Sequence, residues 1–270
     1  MKKIFLLLIT AVILSPSIMA QEANSIKKNK KEERKLRISA IAKQEEEGVV
    51  KYKKHTLFGV KLTTDGNGFF FEMERAKSVK KALLFQLDIA ERKHTKEAKL
   101  QSQDIYSSSS PIIYGKLNFF YPVKLGVQEQ FLLGNKGNKN GVGLTGNIGG
   151  GVSLALLRPY MVDIVDNDGS GNHKYVAYDP NDTTFGFLNI DRFVSGPNIG
   201  TGWSKLKLTP GLYAKAGARF DFGKYNEMVN ALEVGVAAEY YSKKIPQMAF
   251  NSQKQFFFSA YVSIMFGKRK

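Results

Sequence analysis

Seven charged side chains attract attention first, because they recur at every second position in otherwise apolar runs. They are Lys61, Asp88, Lys215, Arg219, Asp221, Glu233 and Glu239. Charges of both signs on one face could line an aqueous path, form ion pairs, or act as general acids and bases. Arg219 and Glu233 fall on neighbouring predicted strands with the same facing, which predicts an ion pair.

Other candidate chemistry is sparser. Gly141-Val142-Gly143-Leu144-Thr145-Gly146 matches the dinucleotide fingerprint by letters. It leads into an alternating strand rather than a helix, so the phosphate-binding helix end is absent. These glycines, with Gly149, Gly150 and Gly151, read instead as relief of crowding in a narrow sheet. Asp166, Asp168 and Ser170, with Gly171 at the sixth position, resemble the start of a calcium loop. The twelfth position is Ala177 rather than a bidentate Glu, which leaves a weak calcium candidate inside an ordinary loop. The three histidines, His55, His94 and His173, form no local set with a serine or a carboxylate pair. No catalytic residue, metal site or cofactor is assigned, and the chain reads as a non-enzyme.

The elements that position the charges follow from a period of two. In the last run the even positions are Phe256, Phe258, Ala260, Val262, Ile264 and Phe266. In an earlier run Leu212, Ala214, Ala216, Ala218 and Phe220 alternate with Tyr213, Lys215, Gly217, Arg219 and Asp221. Similar alternation occurs near 58–62, 69–75, 83–90, 123–133, 142–156 and 232–241. Glu129 breaks the apolar face of the fourth run.

The uniform face is the apolar one, and the charges share the other with Gly and Ser. Burying such charges in an apolar core costs several kcal/mol each, of order, unless they are paired. A polar lumen inside an apolar exterior removes the conflict. The prediction is a closed antiparallel up-and-down transmembrane β-barrel of eight strands, or ten if parts of 112–121 and 172–178 extend into hairpins. A soluble lipocalin-like barrel is the rival and would invert the faces. Aromatic girdles are expected from Phe119, Phe120, Tyr121, Tyr240 and Phe256 at one end, and from Phe222 and Phe266 at the other. Prolines 122, 159, 210 and 246 are expected at strand ends or in loops.

Residues 1–20 read as a signal peptide, with Lys2 and Lys3 before an apolar run and Ala20 before the cut. Residues 21–54 read as a charged periplasmic segment, and 55–270 as the barrel. The chain has no cysteine and a formal net charge of +16. In an exported chain this charge faces anionic lipid, glycan or an envelope partner rather than nucleic acid.

Several stretches resemble small outer-membrane β-barrel proteins of the Bacteroidetes, a group without assigned activity. They are Phe58-Gly59-Val60-Lys61-Leu62-Thr63-Thr64-Asp65-Gly66, Gly115-Lys116-Leu117-Asn118, Leu208-Thr209-Pro210-Gly211-Leu212, Ala231-Leu232-Glu233-Val234-Gly235 and Phe266-Gly267-Lys268-Arg269. The resemblance implies a cell outer-membrane location and no catalytic residues. The expected role is structural or interactive, as an accessory subunit of an envelope assembly. Contacts would run to outer-membrane lipid and to an envelope protein through the N-terminal segment or outer loops. A narrow channel or small-solute transporter with a charged lumen is the alternative, and a membrane-embedded lipid hydrolase the third reading.

Overall fold

The computed structural model describes residues 32–36, 39, 54–78, 80–100, 110–134, 141–166, 171–181, 187–223 and 228–269. The expected signal peptide lies outside the described residues. Of the charged N-terminal segment, 32–36 form a short helical stretch and the first barrel strand begins at Lys54.

Eight strands close into a barrel: β1 Lys54–Thr63, β2 Gly66–Ala76, β3 Lys81–Arg92, β4 Asn118–Gly134, β5 Gly143–Pro159, β6 Lys207–Asp221, β7 Met228–Ile245 and β8 Lys254–Arg269. Each pairs antiparallel with its sequence neighbour, and β1 pairs with β8 to complete the cylinder. Among the described residues no helix is long and apolar enough to cross a membrane; the crossing is made by strands.

The outer face is apolar. Phe58, Leu62, Phe69, Leu125, Ile148, Val152, Leu212, Val234, Val236, Phe258 and Ile264 are all exposed. Along β6 and the residue that follows it, this band runs from Leu212 to Phe222, ten residue steps of ~3.3 Å tilted by ~40°, or about 25 Å of height. That matches the lipid-facing band of a barrel and is far too much apolar surface for water. The barrel is a transmembrane one.

Glu129, which interrupts the apolar pattern of β4, does face outward. It sits near the short-turn end, 3.6 Å from Lys81 Nζ, and both side chains are about half exposed. Lys81 also lies over the Phe131 ring at 5.1 Å. A partly wet pair at the interface explains a charge on a lipid-facing strand.

Three expectations are corrected. Phe120 is fully buried inside the barrel rather than in the outer girdle, because its even number gives it the inward parity of Lys124. Pro122 and Pro210 lie within β4 and β6 rather than at their ends. Each sits where one ladder is missing: the β3 pairing skips from Val123 to Phe120, and β7 pairing begins only at Gly211. No N–H is therefore demanded of either proline on that side. Finally, 112–121 and 172–178 add no barrel strand. Residues 118–121 lengthen β4, Ile112–Ile113 pairs with Lys99–Leu100, and His173–Ala177 joins Met161–Val165 and Phe193–Ser195 in a separate sheet.

The long connections, 93–117, 160–206 and 246–253, emerge at one end, with the 64–65 turn. At the other end are 77–80, 135–142 and 222–227. Long outer loops and short periplasmic turns orient the barrel. On the loop side β4–β8 are 15 to 18 residues long, against 10 to 12 for β1–β3. About 11 residues suffice to span, so the longer strands project beyond the bilayer.

Candidate functional site

The interior is the candidate site, and it is full. Alternation aims Lys61, Asp88, Lys124, Lys215, Arg219, Glu233 and Glu239 inward, all at most 5 % exposed. In the outer half, Glu239 accepts from Arg92 Nη2 at 3.0 Å and from Lys124 Nζ at 2.9 Å. Arg92 also reaches Asp65 at 2.8 Å, tying the first hairpin turn to the opposite wall. Lys61 is paired with Asp88, and its ammonium lies over the rings of Phe70 and Tyr261. Tyr241 donates its hydroxyl to Glu239 Oε2 at 2.6 Å and contacts Ser153 Oγ at 2.8 Å.

The inner half is built around Arg219. Its guanidinium bridges Glu72 and Glu233, each at 2.8 Å. Glu233 also accepts from Lys215 at 3.1 Å, Tyr261 hydroxyl at 2.8 Å and Asn147 at 2.8 Å. Lys215 donates to Gln86 Oε1 at 2.9 Å, which carries the network across to β3. Tyr261 can occupy the axis only because Gly217 and Gly235 face it; a Cβ at either would lie 2.6 Å from its hydroxyl.

Apolar layers close both ends of this polar column. On the loop side Phe120, Ala155, Leu157, Tyr241, Ile245 and Phe257 pack together. Arg92 lies between the rings of Phe120 and Phe257, at 5.7 and 5.1 Å. Toward the short-turn end Leu57, Phe70, Val229, Ala231 and Met265 form a second layer. An eight-stranded cylinder is about filled by its own side chains, and here the filling is ionic in the middle and apolar at each end.

Above the mouth the outer loops fold into a cap. Ile112, Ile113, Leu117, Tyr160, Val162, Ile164 and Phe187 make its core. The Tyr160 hydroxyl accepts the Ile113 N–H at 2.8 Å, and burial raises its pKa. Leu117 N–H donates to Gln247 O at 2.8 Å and Ala249 N–H to Gly115 O at 2.7 Å, joining two loops. Gly115 has φ of 71°, and the Phe250 ring packs where its side chain would be. Lys116 is buried against Glu97 at 2.6 Å; burial lowers its pKa, although Glu97 opposes the shift.

The remaining predicted residues fall elsewhere. Asp221, at the short-turn end, accepts the Gly223 N–H at 2.8 Å. His55 lies near that same end, 3.2 Å from Glu74, whereas His94 is at the loop end and His173, exposed at the start of the outer His173–Ala177 strand, is 3.4 Å from Asp163. The histidines thus share no site. Of the calcium candidates, Asp168 and Ser170 lie outside the described residues, and Asp166 pairs with Lys174 at 2.8 Å. The 141–146 run enters β5, with no helix following.

Glu72, Arg92 and Lys124 belong to the network but were not singled out in the sequence. Parity could have found them: Phe69, Phe71 and Met73 point out, so Glu72 points in, and Lys124 sits between Val123 and Leu125.

No lipid-facing edge is left unpaired, and the charges are inside; this is how a closed barrel crosses an outer membrane. The chain is an outer-membrane β-barrel protein. No family model matches it, and no curated protein matches its sequence. Among solved structures it is similar to Ail, the attachment invasion locus protein of Yersinia pestis, at 10 % identity and a TM-score of 0.38, covering 82 % of this chain and 100 % of that one. It is also similar to Neisserial surface protein A, at 10 % identity, TM-score 0.36 and coverage of 81 % and 96 %. The N-terminal β-barrel domain of Pseudomonas aeruginosa OprF aligns at 8 % identity, TM-score 0.34 and coverage of 80 % and 98 %. The eight-strand closure of this barrel rests on its own strand pairing.

Proposed function

We propose that this barrel is a sealed, non-enzymatic interaction scaffold that holds a folded outer cap at the cell surface. The observation that carries the reading is the lumen, where Arg92, Lys124, Lys215 and Arg219 each contact a carboxylate between two apolar layers. A solute or ion would have to separate several buried pairs to pass, which costs about 3–5 kcal/mol for each charge left alone. A lipid hydrolase needs a nucleophile and base within reach of one another, and the placement of His55 and His94 at opposite ends supplies none.

The cap is the surface left to act. It is ordered by its own core, and it presents Tyr114, Ile190 and Phe250 outward. Tyr114 and Phe250 stack at 5.8 Å, so the patch is preorganised for a protein partner of the envelope. Photo-crosslinking from positions 190 and 250 in intact outer membranes tests this. A discrete protein adduct is the expected result, lost from position 190 when Phe250 is replaced by Ser and from position 250 when Ile190 is replaced by Ser. Adducts to lipid alone would contradict it, and steady conductance of the purified barrel would favour the narrow channel instead.

A further inference from the structure

Charge at the loop-side rim is distributed unevenly. Residues 193–208 and 242–255 contain five lysines (205, 207, 243, 244 and 254) and no acid. All five are exposed, and none has an ion-pair partner among the described residues. They gather on three adjacent strands and their extensions, β6, β7 and β8. On the opposite rim Lys93, Lys96 and Lys99 are interleaved with Asp65, Glu91 and Glu97.

The height of the cluster is fixed by the register. Leu212, Tyr240 and Phe256 form one outward row across β6, β7 and β8, at 64 %, 55 % and 56 % exposure. Lys254 is exposed two residues above Phe256, Lys244 is exposed four residues above Tyr240 beyond an irregularity in the β7–β8 ladder, and Lys207 is exposed five residues above Leu212. The five lysines thus stand just above the outward apolar row, where long flexible stems let their ammonium groups reach lipid headgroups. Trp203 stacks on Tyr121 at 5.7 Å beside Lys205, adding an aromatic anchor at the same level. Under the rim the wall is shallow, since Gly150, Ala214 and Ala238 share a row, so acyl chains can lie close to it.

We propose that the rim of β6–β8 is a binding site for the phosphate headgroups of anionic lipid in the surrounding leaflet. Unpaired cations of one sign, directly above a lipid-facing row, complement phosphate that is anchored at that height. A soluble acidic partner would approach from the cap, which lies further out. The proposal rests on the membrane-spanning reading and adds a ligand class to it. Each lysine near a charged surface strengthens association by about fivefold, and the five act together.

The test uses the full mature chain in nanodiscs of phosphatidylcholine containing a minority of phosphatidylglycerol, with native mass spectrometry of the lipids retained. The wild type is expected to retain phosphatidylglycerol well above its bulk fraction. Replacing Lys205, Lys207, Lys243, Lys244 and Lys254 together by Gln is expected to reduce that enrichment on the order of tenfold or more. Replacing Lys93, Lys96 and Lys99 by Gln is expected to leave it unchanged. Equal enrichment in both variants overturns the site, and so does displacement of the lipid from wild type by inorganic phosphate, which would mark a free-anion site. Insertion without any lipid preference sinks this proposal alone. Failure of the wild type to insert sinks the membrane reading with it.

Discussion

The barrel interior and the β6–β8 rim both concentrate cations, yet they treat them in opposite ways. Inside, Arg219 has two carboxylates and Glu239 has two cations. On the rim five lysines have no ion-pair partner among the described residues. The difference follows from the medium. Without water, an unpaired charge costs several kcal/mol, on the order of its desolvation, so every gain of one sign must be met by the other. Next to water and headgroups the same charge costs little and can wait for a ligand. Ion pairs here thus mark filling, and lone charges mark contact.

The comparison breaks first if the interior tolerates loss of a partner. Replacing Glu233 by Leu leaves Lys215 without its carboxylate and Arg219 with Glu72 alone, and is expected to cost about 3–5 kcal/mol, read from the urea midpoint of the folded barrel. Reversing Arg219 and Glu233 together restores little of this, because Glu72 and Lys215 then face like charges. Full rescue would show that the pair acts alone.

The wall supplies the next effect. Val234→Arg on the lipid face is expected to cost about 2–4 kcal/mol by the same measurement, whereas Val234→Ile is close to neutral. Glu129→Gln, by contrast, removes a half-exposed pair with Lys81 and is expected to cost less than about 1 kcal/mol. The rim lysines sharpen the comparison at its small end: single Lys→Gln changes at 205, 243 or 254 shift stability by no more than about 0.5 kcal/mol.

The smallest effect concerns pH. Burial, against the pull of Glu97 and with help from Lys254 and Lys96, holds the His94 pKa below the ordinary histidine value of about 6.5. The folded turn disfavours the proton, so the unfolded chain binds it first as pH falls. The stability His94 lends is full above about 6.5 and is lost as pH drops through the lower folded value. Its ring Nδ1 accepts the Lys96 N–H at 3.2 Å. Hydrogen exchange at Lys96 should therefore gain an acid-side opening that His94→Gln removes, with the barrel amides unaffected.

The strands and their faces were legible because a period of two survives wherever one side meets lipid. That is why Val234, Val236 and Ile264 point outward as their parity required. Phe120 was misplaced because it stands among Phe119 and Tyr121, where composition speaks for a girdle and only parity speaks against it. Pro122 and Pro210 were read as strand ends because a proline removes a donor, but each faces a gap in one ladder. The pairing of Arg219 with Glu72 was not legible: the partners are 147 residues apart and meet only across the closed cylinder. The cap was the least readable part, since Tyr160, Val162, Ile164 and Phe187 carry no repeat long enough to betray their shared core.

Single-channel recording of the purified wild-type barrel in planar bilayers tests the sealed, ion-paired interior most directly. Electrical silence is predicted for the wild type, with leak appearing once Arg92 and Phe257 are both replaced by Ala at the outer layer. Steady, ion-selective openings of the unaltered protein would contradict it.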